Sequence, residues 1–125
     1  MDVVEYYNLK NRIIEDYRNA LVMIELPFDL QELVLNLGGG QAIKYINNPS
    51  KVIQQRAFSM DPSKAMPYIT DEDILMDIIK VYPKAIMYVQ NPSKELQLEC
   101  VRRNRKCFND IQNPCDEVMN FMRYG

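Results

Sequence analysis

Residues 42–51 read Ala-Ile-Lys-Tyr-Ile-Asn-Asn-Pro-Ser-Lys, and residues 85–94 read Ala-Ile-Met-Tyr-Val-Gln-Asn-Pro-Ser-Lys. Weaker copies of this pattern occupy residues 65–73 and 107–116, and a step of 22 residues back from Ala42 reaches Ala20. Between the four copies, the small first residue recurs at intervals of 23, 20 and 22 residues. Self-similarity at such a period indicates a repeat architecture. The sequence therefore predicts about five degenerate repeats, which start near residues 20, 42, 65, 85 and 107.

The apolar positions inside each repeat follow a helical period. The short stretch that opens a repeat has apolar residues at i, i+1 and i+4, which predicts one short helix. A second helix follows the turn and carries apolar pairs four residues apart, such as Ile74 and Ile78. Asn48, Asn91 and Asn113 each directly precede a proline. This pair predicts an asparagine N-cap with proline at the first helical position.

Proline and glycine mark the second turn of the repeats. Pro62 and Pro83 each predict the end of one helix and the start of the next, because proline cannot occupy a helix interior. Gly38-Gly39-Gly40 predicts a helix C-cap followed by a flexible joint. A phosphate-binding loop is the alternative, but these glycines lack a following Lys-Ser/Thr pair and a preceding strand.

Residues 1–25 predict an N-terminal lead helix that covers the first repeat. Apolar residues fall three or four apart from Tyr6 to Ile24, and Asp2 is the expected N-cap. No segment alternates convincingly at period two, so no strand is predicted. Because a helix pair with one apolar face cannot bury that face alone, neighbouring pairs must stack. The sequence thus predicts one all-α domain over residues 1–125, a HEAT-like stack of short helix pairs (an α-solenoid).

Composition and charge exclude several functions. The chain of 125 residues has no histidine, which excludes Ser-His-Asp and Cys-His catalysis and every His-ligated metal site. A net charge of −2 disfavours a general nucleic-acid coat or a polybasic membrane binder. The first residues are acidic where a signal peptide would be basic, and no apolar stretch is long enough to span a bilayer. Three cysteines without paired spacing fit a reducing compartment. We therefore expect a cytoplasmic, non-enzymatic protein without cofactor or metal.

The pattern Ala-Ile-x-Tyr-Ile-x-Asn-Pro-Ser-x-x-x-Gln resembles short helical repeats found in many uncharacterised bacteriophage proteins. Residues 42–54 carry it in full, and residues 85–97 carry it with Val89 in place of isoleucine. Proteins with such repeats are often small early phage products that bind host machinery or defence systems. The resemblance implies a non-catalytic module that binds and inhibits a host or defence-system protein. A nucleic-acid-binding or nucleic-acid-mimicking module is the alternative.

Residues 102–106 form the one dense basic run. Its four cations cannot all face a core, so at least three of Arg102, Arg103, Arg105 and Lys106 are predicted to lie in water. One interpretation is a solvated helix C-terminus, where cations complement the helix dipole. The other is a contact to phosphate, RNA or an acidic partner. Exposed polar residues of the long helices extend the predicted partner-binding set: Lys51, Gln54, Gln55, Asp77, Lys80, Lys94 and Gln97.

Three further groups of residues have two interpretations each. The acids of the third repeat suit a helix start, with a divalent-cation site as the alternative: Asp71, Glu72, Asp73 and Asp77. A column of tyrosines suits buried packing with the hydroxyls at the edge, or an exposed binding stripe: Tyr45, Tyr68 and Tyr88. Cys115 lies at a helix start, a position that lowers a thiol pKa, so it is either structurally indifferent or a redox sensor. Cys100 and Cys107 fall on core positions.

Overall fold

Helices make up 75% of the chain in the computed structural model, which describes all residues from 1 to 125, and no β-strand is present. The all-α prediction is confirmed. The α-helices span Val3–Glu15 (α1), Phe28–Gly38 (α2), Lys51–Met60 (α3), Pro62–Ala65 (α4), Glu72–Val81 (α5), Lys94–Arg103 (α6) and Asp116–Tyr124 (α7). The 3₁₀-helices span Tyr17–Val22 (η1), Gly40–Tyr45 (η2), Met66–Tyr68 (η3), Pro83–Tyr88 (η4) and Arg105–Asp110 (η5).

Each repeat consists of a short helix, an extended linker and a long α-helix. The long helices of the last four repeats begin at residues 51, 72, 94 and 116. The short element is a six-residue 3₁₀-helix in η1, η2, η4 and η5, with hydrogen bonds that close over three residues. The predicted helix breaks are confirmed, because Pro62 and Pro83 each occupy the start of the next helix.

Two compact units divide the chain, Met1–Tyr68 (unit 1) and Ile69–Gly125 (unit 2). Within unit 1 the long helices α1, α2 and α3 contact one another in chain order, and the short helices η1, η2 and α4 do the same. Within unit 2 the row of long helices is α5, α6 and α7, and the short helices η4 and η5 contact each other. Helix α6 contacts both η4 and η5. The interpretation of residues 1–125 as a single domain stays a prediction.

Small and branched apolar side chains fill the core of each unit. The fully buried large side chains of unit 1 are Ile13, Leu30, Val34, Leu35, Ile43, Ile53 and Met66; those of unit 2 are Ile79, Ile86, Leu96, Val101 and Val118. Full burial of such a side chain contributes about 1.5–3 kcal/mol. Because helices of this length are marginal by themselves in water, packing between neighbouring elements stabilises them.

The asparagines that precede proline are turn residues and not helix caps. Asn48, Asn91 and Asn113 have φ angles of 51°, 49° and 55°, in the left-handed region of backbone conformation. Asparagine enters this region more readily than most residues with a side chain. The prediction of asparagine N-caps is therefore wrong, and each of these asparagines instead forms a bend before the helix starts.

Serine and aspartate supply the N-caps of the long helices. The Ser50 hydroxyl accepts the backbone N–H of Ile53 at 3.2 Å, and the Ser93 hydroxyl accepts that of Leu96 at 3.1 Å. The Asp71 carboxylate caps α5 in the same way, three residues before the N–H that it accepts. Each long helix of this kind thus begins with one of its free N–H groups satisfied.

A buried glutamine joins two repeats inside unit 1. The Gln31 Nε2 group donates to the carbonyl of Leu26 at 2.8 Å, which lies in the linker before its own helix. The Oε1 atom of the same side chain accepts the backbone N–H of Ser50 at 3.0 Å. One amide therefore fixes the end of its own linker and the cap residue of the next long helix.

The same arrangement, here called the glutamine bridge, recurs in unit 2. Gln97 donates to the Pro92 carbonyl at 3.0 Å and accepts the Cys115 N–H at 2.9 Å. Both glutamines are almost fully buried. A buried amide without partners would be costly, so these paired hydrogen bonds select one register between neighbouring repeats.

The predicted lead helix is shorter than residues 1–25. Helix α1 ends at Glu15, because the Asp16 backbone is extended and its carboxylate accepts the Arg18 N–H at 3.0 Å. The hydrogen bonds from Arg18 also hold the pKa of Asp16 below its usual value. The Asn19 side chain donates to the Arg12 carbonyl at 2.7 Å and satisfies the helix end. The remaining residues form η1, which is the short helix of the first repeat.

The predicted caps at the two ends of the first long helices are confirmed. Asp2 caps α1, and Gly39 ends α2 with a φ of 79°. The prediction of a flexible joint is wrong at Gly40. This residue is buried, and a Cβ atom there would clash with the Ala57 carbonyl oxygen. The absence of a side chain at Gly40 allows η2 to pack closely on α3.

Candidate functional site

The basic run lies at the junction of α6 and η5 in unit 2. Arg102 and Arg103 end α6, and Arg105 and Lys106 begin η5. All four side chains are exposed, which confirms that at least three lie in water. The Asn104 side chain accepts the Lys106 N–H at 3.0 Å and starts the short helix. The junction thus presents its cations on two successive elements.

Two arginines of the run are already engaged by the protein. Arg103 donates to the Glu99 carboxylate at 2.8 Å. Arg105 donates to the Met122 carbonyl at 2.8 Å, and its guanidinium lies 5.4 Å from the centre of the Phe121 ring. This contact satisfies a carbonyl in the last turn of α7. Two cations of the run have no side-chain partner within the protein: Arg102 and Lys106.

The predicted partner-binding residues of the long helices are exposed and are distributed over both units. Lys51 and Gln55 lie on α3 of unit 1, whereas Lys80 and Lys94 lie on α5 and α6 of unit 2. The Lys94 Nζ atom is 3.9 Å from a carboxylate oxygen of Glu117 on α7. Such an exposed ion pair contributes little to stability. Unit 2 therefore carries most of the predicted set.

Gln54 and Gln97 are not exposed contacts, and that prediction is wrong. Their side chains are only 4% and 5% exposed. The Gln54 amide donates to the Pro49 carbonyl at 3.1 Å, as Gln97 does to its own linker. Glutamine is a polar residue, so both side chains were predicted to be exposed. Instead, the linker before each helix lies over its first turn and offers the amide a backbone carbonyl.

The three tyrosines of the column differ in exposure: one is half-buried and two are exposed. Tyr45 is half-buried and packs edge to face on Tyr17, with ring centres 5.6 Å apart. Tyr68 and Tyr88 are 37% and 40% exposed. Buried packing therefore describes Tyr45, whereas the exposed alternative describes the other two.

The cysteines divide as the repeat register predicts. Cys100 and Cys107 are fully buried. Burial raises the pKa of the Cys100 thiol, and its hydrogen bond with Cys107 raises it further, so this thiol stays protonated. Cys115 takes the N-cap position of α7, is half-buried and makes no capping bond with its side chain. Its two interpretations stay predictions.

The acidic cluster has a structural explanation. Asp71 is the N-cap of α5, and the Glu72 carboxylate accepts the Ser93 hydroxyl at 2.5 Å. Acids at a helix start also complement the helix dipole. No group of three or more His, Cys, Asp or Glu side chains is arranged to hold a metal ion.

Sequence reasoning singled out Tyr88 and Lys106 separately, but it did not group them with the other exposed side chains on the short helices of unit 2. Helix η4 exposes Lys84, Met87 and Tyr88, and η5 exposes Lys106 and Asn109 as well as Arg105, which donates to the Met122 carbonyl. The first five of these residues are here called the short-helix face. Lys84 and Lys106 each directly precede the small residue of their repeat, 22 residues apart. That shared register is visible in the sequence and was the available signal.

No protein family, no curated protein and no solved structure matches this chain. No helix combines the length and the apolar character that a membrane crossing requires. The resemblance to phage helical repeats therefore stays a prediction, which rests on the motif residues of 42–54 and 85–97.

Proposed function

We propose that the chain is a HEAT-like stack of short helix pairs that acts as a non-catalytic protein-binding module. The partner, by the phage resemblance, is a bacterial host or defence-system protein that the module inhibits. The glutamine bridge supports this proposal most directly. It fixes neighbouring repeats in register by buried contacts, so exposed positions are free to vary without loss of the scaffold. Preorganised repeat scaffolds of this kind bind partners with little ordering cost at the interface.

The alternative is a nucleic-acid-binding or nucleic-acid-mimicking module that uses residues 102–106. Two observations support this alternative: the Arg102 and Lys106 side chains are exposed, and neither has a side-chain partner within the protein. Against it stands the engagement of Arg103 and Arg105 within the protein. Two available cations give few phosphate contacts, and nucleic-acid affinity depends on the number of phosphates neutralised.

The experiment is a pull-down of tagged protein from a bacterial lysate with identification by mass spectrometry. We expect saturable capture of a specific protein. A variant with R102E and R103E tests whether the basic run contributes, and a variant with K10E and R12E on α1 is the control of equal charge change. Both variants require an unchanged far-ultraviolet circular dichroism spectrum. Absence of any specific captured protein would contradict the proposal.

A mobility-shift assay tests the alternative on the same proteins. Duplex and single-stranded probes are titrated at low and at moderate salt. A nucleic-acid site would weaken by roughly 0.9 log unit per log unit of salt for each duplex phosphate neutralised. We expect no tight complex with either probe. Tight, salt-sensitive binding that R102E/R103E abolishes would favour the alternative.

A further inference from the structure

The short helices of this protein carry a net positive charge, because acids are nearly absent from them. The elements η1, η2, α4, η3, η4 and η5 contain six of the 15 cations: Arg18, Lys44, Lys64, Lys84, Arg105 and Lys106. They contain one of the 17 acids, Asp110. The long helices, the linkers and the termini therefore carry almost all of the negative charge. This segregation follows from no requirement of the core, because the side chains concerned are exposed.

In unit 2 the segregation gives the short-helix face a defined pattern. Lys84 and Lys106 occupy equivalent positions on η4 and η5, and these two helices contact each other. The two lysines therefore lie on short helices that pack against each other, and both side chains are exposed. Neither Lys84 nor Lys106 has a side-chain partner within the protein.

Two apolar side chains are exposed on the same short helix as Lys84. Met87 is 48% exposed and Tyr88 is 40% exposed, and both belong to η4. A flexible thioether next to an amphipathic ring is a surface that adapts to an apolar side chain of a partner. Aromatic residues and methionine are enriched in protein–protein interfaces relative to other surfaces.

The long helices of unit 2 disfavour an extended polyanion as the ligand. Helices α5, α6 and α7 contain seven acids: Glu72, Asp73, Asp77, Glu95, Glu99, Asp116 and Glu117. Their five cations leave this row negative. Because charges act over about 8–10 Å at physiological salt, a nucleic acid that extends past the short helices meets repulsion. A short acidic segment meets the net positive charge of η4 and η5, in which Asp110 is the one acid.

From this pattern we propose that the short-helix face of unit 2 docks a short acidic segment of a partner protein, with an aromatic or aliphatic side chain between Lys84 and Lys106. The proposal rests on the protein-binding function and specifies its surface and its partner chemistry. Carboxylates of the segment contact the two lysines, and its apolar side chain packs on Met87 and Tyr88. Charge reversal at such a surface mainly slows association.

The test uses fluorescence anisotropy with a labelled peptide of aspartate and glutamate that carries one central phenylalanine. We expect K84E/K106E to weaken binding about tenfold or more, since both contacts become repulsive. The matched control K10E/R12E changes the charge equally on the long helix α1 of unit 1 and is expected to stay within about twofold of wild type. Tyr88→Ser is expected to weaken the phenylalanine peptide but not a peptide with serine in its place.

Three results would overturn this assignment: equal loss in both charge-reversal variants, no binding of the acidic peptide, or tighter binding of a single-stranded oligonucleotide. K84Q/K106Q, which neutralises without repulsion, guards against a folding defect and should give an intermediate loss. Lysate pull-downs with the same variants separate the two proposals. If K84E/K106E captures the same protein as wild type, the short-helix face is not the binding surface, but the protein-binding function stands. If the acidic peptide binds but no protein is captured from the lysate, the short-helix face stands as a binding surface and the proposal of a bacterial partner is refuted.

Discussion

At the scale of single residues, the side-chain amides of Gln31 and Gln97 act as connectors between repeats. Each amide donates to a carbonyl in the linker before its own helix. It also accepts the backbone N–H of the N-cap residue of the next long helix. The sequence shows these glutamines at one register of the repeat, but not what they contact. Their partner lies 18 or 19 residues further along the chain, so only packing of the repeats brings it into reach.

Loss of the bridge in unit 2 should destabilise the protein measurably. Gln97→Ala leaves the half-buried Pro92 carbonyl and Cys115 N–H without their side-chain partner, and we expect a loss of about 1–3 kcal/mol. The measurement is the free energy of unfolding from urea denaturation. Gln55→Ala on the exposed face of α3 is the control and should change stability by less than about 0.5 kcal/mol. Equal stability of both variants would remove the bridge as a stabilising contact.

The turn chemistry before each long helix gives a second prediction at this scale. Asn91 has a φ of 49°, so Asn91→Gly should be tolerated whereas Asn91→Ser should cost about 1 kcal/mol. Ser93 is the cap, so Ser93→Ala should cost about 1 kcal/mol and Ser93→Gly only a few tenths. Thermal unfolding of the four variants distinguishes the two roles. A harmless Asn91→Ser would restore asparagine as the capping residue.

At the scale of elements, hydrophobic spacing identified helices without identifying their type. A segment of six residues with apolar positions at i, i+1 and i+4 fits a short helix of either type, and the structure uses the 3₁₀ form in η2 and η4. The length of the first helix was overestimated for a related reason. Apolar spacing continues from α1 into η1, but Asp16 forms a local hydrogen bond that ends α1.

The joint between α2 and η2 gives a prediction at this scale. Gly40→Ala introduces a Cβ atom against the Ala57 carbonyl, and we expect a loss of about 3 kcal/mol from overpacking. Gly39→Ala meets no atom within 4 Å, but a φ of 79° with a ψ of −178° is a backbone conformation that essentially only glycine adopts, so we expect a strain cost of about 1–3 kcal/mol. Urea denaturation of the two variants measures the difference. A loss below about 1 kcal/mol for Gly40→Ala would show that η2 does not pack closely on α3.

At the scale of the whole molecule, stability should follow the number of neighbours of each element. In repeat proteins an element contacts only the elements beside it, so terminal elements open more readily than central ones. Helix α6 has four buried residues and contacts both rows of unit 2, whereas α7 buries only Val118.

Amide hydrogen exchange read by mass spectrometry tests this order. We expect peptides from α7 to exchange about tenfold faster or more than peptides from α6, because local opening of α7 disrupts fewer buried contacts. Peptides of α2 serve as an internal reference for a well-buried helix in unit 1. Slower exchange in α7 than in α6 would contradict a stability that depends on neighbouring elements.

The sequence by itself determined the helical class, the repeat period and the breaks at Pro62 and Pro83, because backbone conformation and hydrophobic spacing are local properties of the chain. Only the tertiary structure decided which polar side chains remain available to a partner. Gln97 is buried by the start of the next helix, and Arg105 is held by a carbonyl 17 residues away. Such contacts form only when separate elements pack, so residue type could not distinguish these side chains from exposed Lys84.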